Sequence, residues 1–478
     1  MYSLLFLAVT SLILSLILTP VIGDLFLHFG LVDLPDARRK LHSQPIPRVG
    51  GIAVALSFLI SVVLLTTTGL KGGWLILQSS PLIWKLAPAV FIVFLIGLWD
   101  DLAHLKAWHK LIGEVGAAAA AYFAGVHVVT VGGTSFSHWW SLPLTLLWLV
   151  GCCNAVNLID GVDGLAAGLS LVSCVSMLVA AALQHNVLLA YATVPLVGCL
   201  LGFLRYNFSP ASVFLGDCGS LTIGFLLGCY GVLWSQKSAT VLGMAAPLMA
   251  LAIPLLDTLL AISRRFLRRQ PIFGADRGHI HHRLLDLGHS PRMVAMLLCG
   301  ICAVASAFSL CMSNNQLEIP VIVIFGVGTW FGVQKLGYIE FDTTRRMLIQ
   351  GSFRQLISSQ IALRNVESKL TAASSPDDCW NVLQEVYQEM GLCYIEMRLM
   401  GRAYSTKPSL LNGRERWHLE VPLSDSDYVL MAHEFNAMAS HTIVALMPDI
   451  LRRILEAKRT TFRPMGSEKL LSTAAAGN

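Results

Sequence analysis

Eleven apolar runs punctuate the chain, centred roughly on residues 3–22, 50–69, 84–99, 111–126, 141–157, 165–183, 187–204, 218–234, 240–262, 293–312 and 318–336. A helix needs about 20 such residues to cross the hydrocarbon core. In that core every backbone polar group must bond within the protein, which leaves helices and closed barrels as the only spanning forms. Runs of this length predict an all-α polytopic membrane protein of about eleven spans. Composition agrees: 55% of the residues are hydrophobic and 13% charged, against about 25% charged in soluble domains. The net charge of +5 is small and points to no nucleic-acid partner. The first run has no basic residue before it and no good cleavage site, so it reads as a retained helix and not a removed signal. The ninth contains Pro247 and Pro254, which predict a kink or break. Most of the 11 cysteines, including Cys152, Cys153, Cys174, Cys199, Cys229, Cys299 and Cys302, lie inside apolar runs. They read as small buried hydrophobes and not as a disulfide framework or metal site.

The connections alternate in character. Those after runs 1, 3, 5, 7 and 9 carry nearly all the polar motifs. Arg38, Arg39, Lys40 and Arg48 lie in the first of them, and Arg264, Arg265, Arg268, Arg269, Arg277 and Arg283 in the last. The opposite connections carry only Lys71, Lys85 and Lys237. Excess Lys and Arg marks the cytoplasmic side. The expected topology therefore has the N-terminus outside, with the motif loops and the C-terminal region in the cytoplasm.

From about Gly337 charged residues become frequent. Residues 1–336 form the expected membrane domain, and 337–478 a soluble α+β domain with a short tail. "FRQLISSQIALRNVESKL" and "PDDCWNVLQEVYQEM" have helical periodicity. "CYIEMRLMG", "RWHLEVPL" and "DYVLMAHEF" alternate as strands do. "TIVALMPDILRRILEAKR" reads as a helix interrupted by Pro448.

Carboxylates at a membrane are costly, so each is a functional hypothesis by default. "LWDDLAHLKAWHKL" sets Asp100 beside Asp101 at a span end, although a solvated helix end would also hold such a pair. "AVNLIDGVDGLAAG" sets Asp160 and Asp163 three apart, with Asn157 one turn earlier. Three oxygen-bearing side chains at that spacing converge on a cation or a phosphate-bearing ligand if the segment is helical. A plain turn accounts for its glycines but explains the aspartates less well. "FLGDCGS" places Asp217 at the start of a span, where alone it reads no further than a helix cap. "FGADRGHIHHRLLD" gathers His279, His281 and His282 between Arg277 and Arg283. No cysteine lies nearby and the spacing suits zinc poorly. Donors beside arginines suit phosphate better. "DLPDARRKLHSQPIPRVGG" adds Lys40, His42 and Arg48. Carboxylates for a hard cation and cations for phosphate, on one membrane face, are the ingredients of metal-assisted phosphoryl transfer.

These motifs, in this order, resemble the polyprenyl-phosphate N-acetylhexosamine-1-phosphate transferases, the family that includes WecA, TagO and MraY. "HIHH" and "NLIDGVDG" are closer to the WecA branch. The resemblance covers residues 1 to about 336. It implies a UDP-N-acetylhexosamine, most simply UDP-GlcNAc, as donor and undecaprenyl phosphate as acceptor. The products would be UMP and a lipid diphosphate sugar, in the first membrane step of cell-surface polysaccharide synthesis such as cell wall or O-antigen. It also implies Mg2+, with Mn2+ able to substitute, and the inner membrane of a bacterium. On this resemblance Asp217 and Asn157 are metal-site residues, and Asp100 and Asp101 the catalytic pair. Substrate contacts fall to Lys40, His42, Arg48, Lys110, Asp160, Asp163, Arg277, His279, His281, His282 and Arg283. Glu114 departs from the pattern, since many WecA-like chains have Gln there. An MraY-like transferase of phospho-MurNAc-pentapeptide is the near alternative. A transporter or flippase is the distant one, disfavoured because the charges cluster on one face and no repeat is visible. The C-terminal domain faintly resembles a GAF-like ligand or partner module, or serves packing in a homodimer.

Overall fold

The computed structural model describes residues 2–30, 32–33, 45–128, 130–131, 134–135, 138–237, 244–267, 270–271, 278–311, 316–336, 363–390, 392–406, 416–424, 426–434 and 441–462. It divides into two units, Met1–Tyr338 and Ile339–Asn478.

The first unit is helical. Its elements are α1 (Tyr2–His28), α2 (Gly50–Thr67), α3 (Lys71–Gln78), α4 (Ser80–Ala103), α5 (Ala107–Phe123), α6 (His138–Ile159), α7 (Leu165–Leu183) and α8 (Val187–Asn207). They continue as α9 (Asp217–Lys237), α10 (Ala245–Ala250), α11 (Ala252–Leu267), α12 (Ile280–Asp286), α13 (Pro291–Cys311) and α14 (Glu318–Lys335). Two small hairpins pair β1 (Val32–Asp33) with β2 (Ile46–Pro47), and β3 (Thr130–Val131) with β4 (Thr134–Ser135). Among the described residues eight helices are long and apolar enough to cross a membrane: α1, α2, α4, α6, α7, α8, α9 and α13. The other three expected runs are helical but differ. Residues 111–126 fall in α5, which has 17 residues and carries Lys110 and Glu114. Residues 318–336 form α14, bounded by Glu318 and Lys335. Of the run 240–262, residues 240–243 lie outside the described residues and the rest divides at Leu251 into α10 and α11. Pro254 has no N–H to give the carbonyl of Ala250, and the Ser173 hydroxyl donates to it instead at 2.7 Å. The short helix α3 had no sequence signal beyond a few apolar residues.

Helix packing follows membrane logic. Large aliphatic side chains such as Leu5, Val9, Ile13 and Ile17 of α1 point outward. The buried face of α1 is built from Ser3, Ser11, Ser15 and Thr19 around Leu7. That stripe lets α8 approach closely, and Ser15 donates to the carbonyl of Cys199 at 2.7 Å. Helix α9 is the most enclosed, packed against α2, α4, α6 and α7. Its first turn meets two neighbours backbone to backbone. A Cβ at Gly51 would lie 2.2 Å from the Gly219 nitrogen, and one at Gly97 2.5 Å from the Asp217 carbonyl oxygen.

The second unit holds a helix over 363–372, a helix over Pro376–Met390 and a terminal helix His441–Phe462. They accompany an antiparallel sheet of β5 (Tyr394–Leu399), β6 (Arg402–Ser405), β7 (Arg416–Pro422) and β8 (Tyr428–Glu434), in the order β6-β5-β8-β7. Strand β6 is an addition to the three expected strands, reached from β5 through the left-handed Met400 and Gly401. The terminal helix runs through Pro448 without interruption. Its apolar face, Met447, Leu451, Ile454 and Leu455, is buried in the core with Ile395, Met397 and Met431, which outweighs the one lost helical bond. The first ten residues of the expected helix 353–370 lie outside the described residues.

Candidate active site

All the described motif residues come to one end of the helical unit. Asp100 and Asp101 end α4, Lys110 begins α5, Asn157 ends α6, Asp217 begins α9, and His279–His282 follow α11. Because successive helices alternate in direction, this set of starts and ends falls on one side.

At its centre Lys110 Nζ lies 2.5 Å from Asp217 Oδ2 and 3.0 Å from Asp100 Oδ2. The two carboxylates thus share one ammonium, which offsets their mutual repulsion. Asp100 Oδ1 accepts from the Leu105 N–H at 2.6 Å, which fixes its direction. Asn157 Nδ2 donates to Ser220 Oγ at 2.9 Å, in the turn of α9 that begins with Asp217.

Asp101 differs from its neighbour. Its two oxygens accept from the backbone N–H groups of Asp217 at 2.8 Å and Cys218 at 2.9 Å. A side chain from α4 thus caps the start of α9, where unpaired N–H groups and the positive end of the helix dipole favour a carboxylate. The adjacent pair of the sequence divides into one carboxylate facing the Lys110 ammonium and one facing main chain.

The two aspartates of the glycine motif divide in the same way. Asp163 Oδ2 accepts from the Ala211 N–H at 3.0 Å and so holds the loop before α9. Asp160 is half-buried, and burial, with Asp217 and Asp101 nearby, pushes its carboxyl well above the usual range. The glycines have separate reasons. Gly164, at φ +74°, turns the chain into α7. Gly161 makes room for the histidine loop: a Cβ there would lie 2.7 Å from His281 Nε2.

That loop is organised by a residue the sequence reading missed. Asp257 of α11 is 1% exposed. It bonds His279 Nδ1 at 3.1 Å and the Ile280 N–H at 2.8 Å, and it lies 3.7 Å from His281 Nδ1. Its signal was a lone carboxylate in the apolar run "LAIPLLDTLLAIS", which is informative at a membrane. His281 is buried, and neither of its ring nitrogens has a hydrogen-bond partner among the described residues. The half-buried His282 is pushed down to about 4, by burial first and then by the neighbouring histidines. Ser220, Asn154 and Asn207 were also missed. Asn207 accepts from the Gly164 N–H and donates to the Val213 carbonyl, tying α8 to two motif loops.

Arg48 lies at the rim. Its Nε is 3.2 Å from Asp33 Oδ1 and its main chain pairs with Phe214. Pro47, Gly50 and Gly51 bond the same stretch, joining "PRVGG" to "FLG". Arg283 donates to the Leu336 carbonyl at 3.3 Å. Lys40, His42 and Arg277 lie outside the described residues, as do Arg38, Arg39, Arg268 and Arg269.

The donor set suits a hard cation. Asp217, Asp100 and the side-chain carbonyl of Asn157 would offer oxygen donors, and Mg2+ commonly takes one or two carboxylates and fills its shell with water and phosphate. Among the described residues no group of three or more His, Cys, Asp or Glu is placed to hold a metal ion by itself.

Fold and site together define an integral membrane protein with a carboxylate cluster and a histidine loop at one end of its helices. The profile of glycosyl transferase family 4 matches residues 83–235. A Bacillus subtilis protein, named a probable undecaprenyl-phosphate N-acetylglucosaminyl 1-phosphate transferase, is 33% identical over 322 residues, 66% of this chain and 87% of the relative. The decaprenyl-phosphate N-acetylglucosaminephosphotransferase of Mycolicibacterium smegmatis is 33% identical over 337 residues, 64% of this chain and 82% of the relative. The phospho-N-acetylmuramoyl-pentapeptide-transferase of Lactiplantibacillus plantarum is 36% identical over 214 residues, 41% of this chain and 64% of the relative. The chain belongs to glycosyl transferase family 4.

Proposed function

We propose that this protein transfers N-acetylglucosamine-1-phosphate from UDP-GlcNAc to undecaprenyl phosphate in a bacterial inner membrane, releasing UMP. The observation that carries the reading is the Asp100–Lys110–Asp217 cluster with Asn157 beside it, in a chain of this family. The relatives named for N-acetylglucosamine transfer match over most of their length. The muramoyl-pentapeptide reading is second, because its relative matches over less of both chains.

In this reading Asp217 and Asn157 hold Mg2+, with Mn2+ as substitute. A metal held there would supply positive charge to the diphosphate and to UMP as leaving group. The lipid phosphate, with a second pKa near about 6, is mostly a dianion at neutral pH and needs no strong base. One of its oxygens forms a bond to the sugar-bearing β-phosphorus, and the bond from that phosphorus to the bridging oxygen breaks, leaving the oxygen with UMP. Asp100 orients the lipid phosphate, and Lys110 offsets the negative charge of the carboxylate cluster. Asp101 holds the start of α9 in place. Asp160 and Asp163 shape the nucleotide-sugar loop. His279 and His281, oriented through Asp257, and His282 face the diphosphate together with Arg277 and Arg283, while Lys40, His42 and Arg48 guide the substrates at the rim. In this reading α5, the α10–α11 pair and α14 complete eleven passes, and the excess of Lys and Arg in the motif loops supports a cytoplasmic site and an outside N-terminus. The C-terminal unit, GAF-like in this reading, regulates or tethers the enzyme.

Purified protein is given undecaprenyl phosphate and either UDP-GlcNAc, UDP-GalNAc or UDP-MurNAc-pentapeptide, with and without Mg2+, and UMP is measured. Release from UDP-GlcNAc that depends on lipid and metal is the expected result. No release from any donor, with the protein folded, refutes the activity. Release from the pentapeptide donor alone selects the second reading. Cysteines introduced near Asp101 should resist an impermeant label in intact cells, and labelling there overturns the orientation.

A further inference from the structure

We infer that Glu114 is a positioning residue for the cation site, taking up the Lys110 ammonium when a divalent cation claims the Asp217 carboxylate. The inference rests on the cation site proposed above and adds to it a residue and a movement.

The Lys110 ammonium now occupies the ligand atom. It sits 2.5 Å from Asp217 Oδ2, and 3.0 Å from Asp100 Oδ2. An ammonium and a divalent cation cannot share that oxygen, so Lys110 must withdraw from Asp217 as the cation arrives. An ammonium left without a counter-charge in a half-buried cleft is costly. Asp100 alone cannot balance it fully, because it lies beside the incoming cation too.

Glu114 lies where a second counter-charge is needed. It follows Lys110 by four residues on α5, which puts the two on the same face, one turn apart. It is 2% exposed. Its Oε2 accepts from Asn154 Nδ2, while its Oε1 is buried with no hydrogen-bond partner among the described residues. A buried oxygen with nothing to accept from is costly to maintain, and a flexible lysine one turn away is the donor that can satisfy it. Asn154 precedes Asn157 by three residues on α6, so the carboxylate is pinned by the helix that also supplies a metal-site amide. The site then has two arrangements of one ammonium: on Asp217 without the cation, and on Glu114 with it.

Mn2+ binding to the full chain in lipid nanodiscs, followed by the spectrum of the free ion, tests this without any turnover. Glu114→Gln keeps the shape and the Asn154 contact but removes the charge. It should weaken Mn2+ by about tenfold, the order set by exchanging a charged hydrogen bond for a neutral one. Lys110→Met removes the competitor and should tighten binding. In the Lys110→Met background Glu114→Gln should then change nothing. Equal weakening in both backgrounds would show Glu114 acting only as a distant charge and overturn the inference. So would weaker binding by Lys110→Met alone, a result available even if Glu114→Gln fails to fold. Asp217→Asn separates the two levels: it should abolish binding, and survival of Mn2+ binding there overturns the cation site itself.

Discussion

Asp101→Asn tests whether the second aspartate of the pair positions or reacts. In the structure Asp101 accepts two main-chain hydrogen bonds, at 2.8 and 2.9 Å, from the first residues of α9. Hydrogen bonds to a charged group contribute about 1.5–3 kcal/mol each. A carboxylate at a helix N-terminus adds roughly 0.3–1 kcal/mol, more when partly buried. An asparagine keeps one acceptor and turns an NH2 toward the other N–H. The loss is therefore one charged bond, part of the other and the dipole term, about 2–4 kcal/mol. For a chain of this size that lowers Tm by several degrees, at roughly 2–4 °C per kcal/mol for 150–250 residues and less for longer chains. The same change frees the backbone of Asp217, and a misplacement of about 1 Å at a reacting group costs on the order of 100-fold in rate. Thermal unfolding in detergent, Mn2+ affinity and UMP release are measured on one preparation. The expected pattern is a lower Tm, weaker Mn2+ binding and a rate loss together. Complete loss of turnover with Tm and Mn2+ affinity unchanged would refute the positioning argument and make Asp101 a chemical participant.

Asp217→Asn should remove Mn2+ binding and at least 100-fold of the rate, on the order expected for lost electrostatic stabilisation, with the helical signal retained. Gly161→Ala should drive a methyl into His281, since a Cβ there lies 2.7 Å from Nε2. A raised KM for the UDP-sugar is expected, and an unchanged KM would separate the histidine loop from the donor site. His282, held down to about 4 against about 6.5 unfolded, binds its proton more readily in the unfolded chain. Its contribution to stability is complete above about pH 6.5 and fades as pH falls toward 4. Tm should drop across that window, and less so in His282→Gln. Truncation after about residue 335 should leave UMP release at saturating substrates intact, and loss restored by adding the C-terminal unit in trans would place that unit in the active site.

Much of this molecule was legible because apolar length records which segments can leave water for a bilayer. The long runs are helices, and the Pro247–Pro254 stretch does break. The break falls at Leu251 because the carbonyl orphaned by Pro254 found Ser173, a partner far away in sequence. The described polar motifs likewise gather at one end of the helices, as charge that is expensive in a membrane would. What stayed hidden was the direction each side chain takes. Nothing local distinguishes Asp100 from Asp101, because the groups that separate them, Lys110 and the N–H of Asp217, are brought in by other helices. Asp257 was passed over inside an apolar run, although that setting is what makes a carboxylate informative. Pro448 illustrates the reverse error: a local breaker was overruled by an apolar face already committed to a core.

The contacts of Gly51 and Gly97 with the first turn of α9 set the scale of the site. At 2.2 and 2.5 Å from where their Cβ atoms would stand, the neighbouring main chain leaves no space for even a methyl group. Helices that meet through side chains can be re-spaced by exchanging one side chain for another. Here there is nothing smaller to substitute, and anything larger pries the helices apart. The separation between Asp100 and Asp217 is thus a length fixed by absent atoms, the one dimension of the cleft that substitution at those contacts can widen and never narrow.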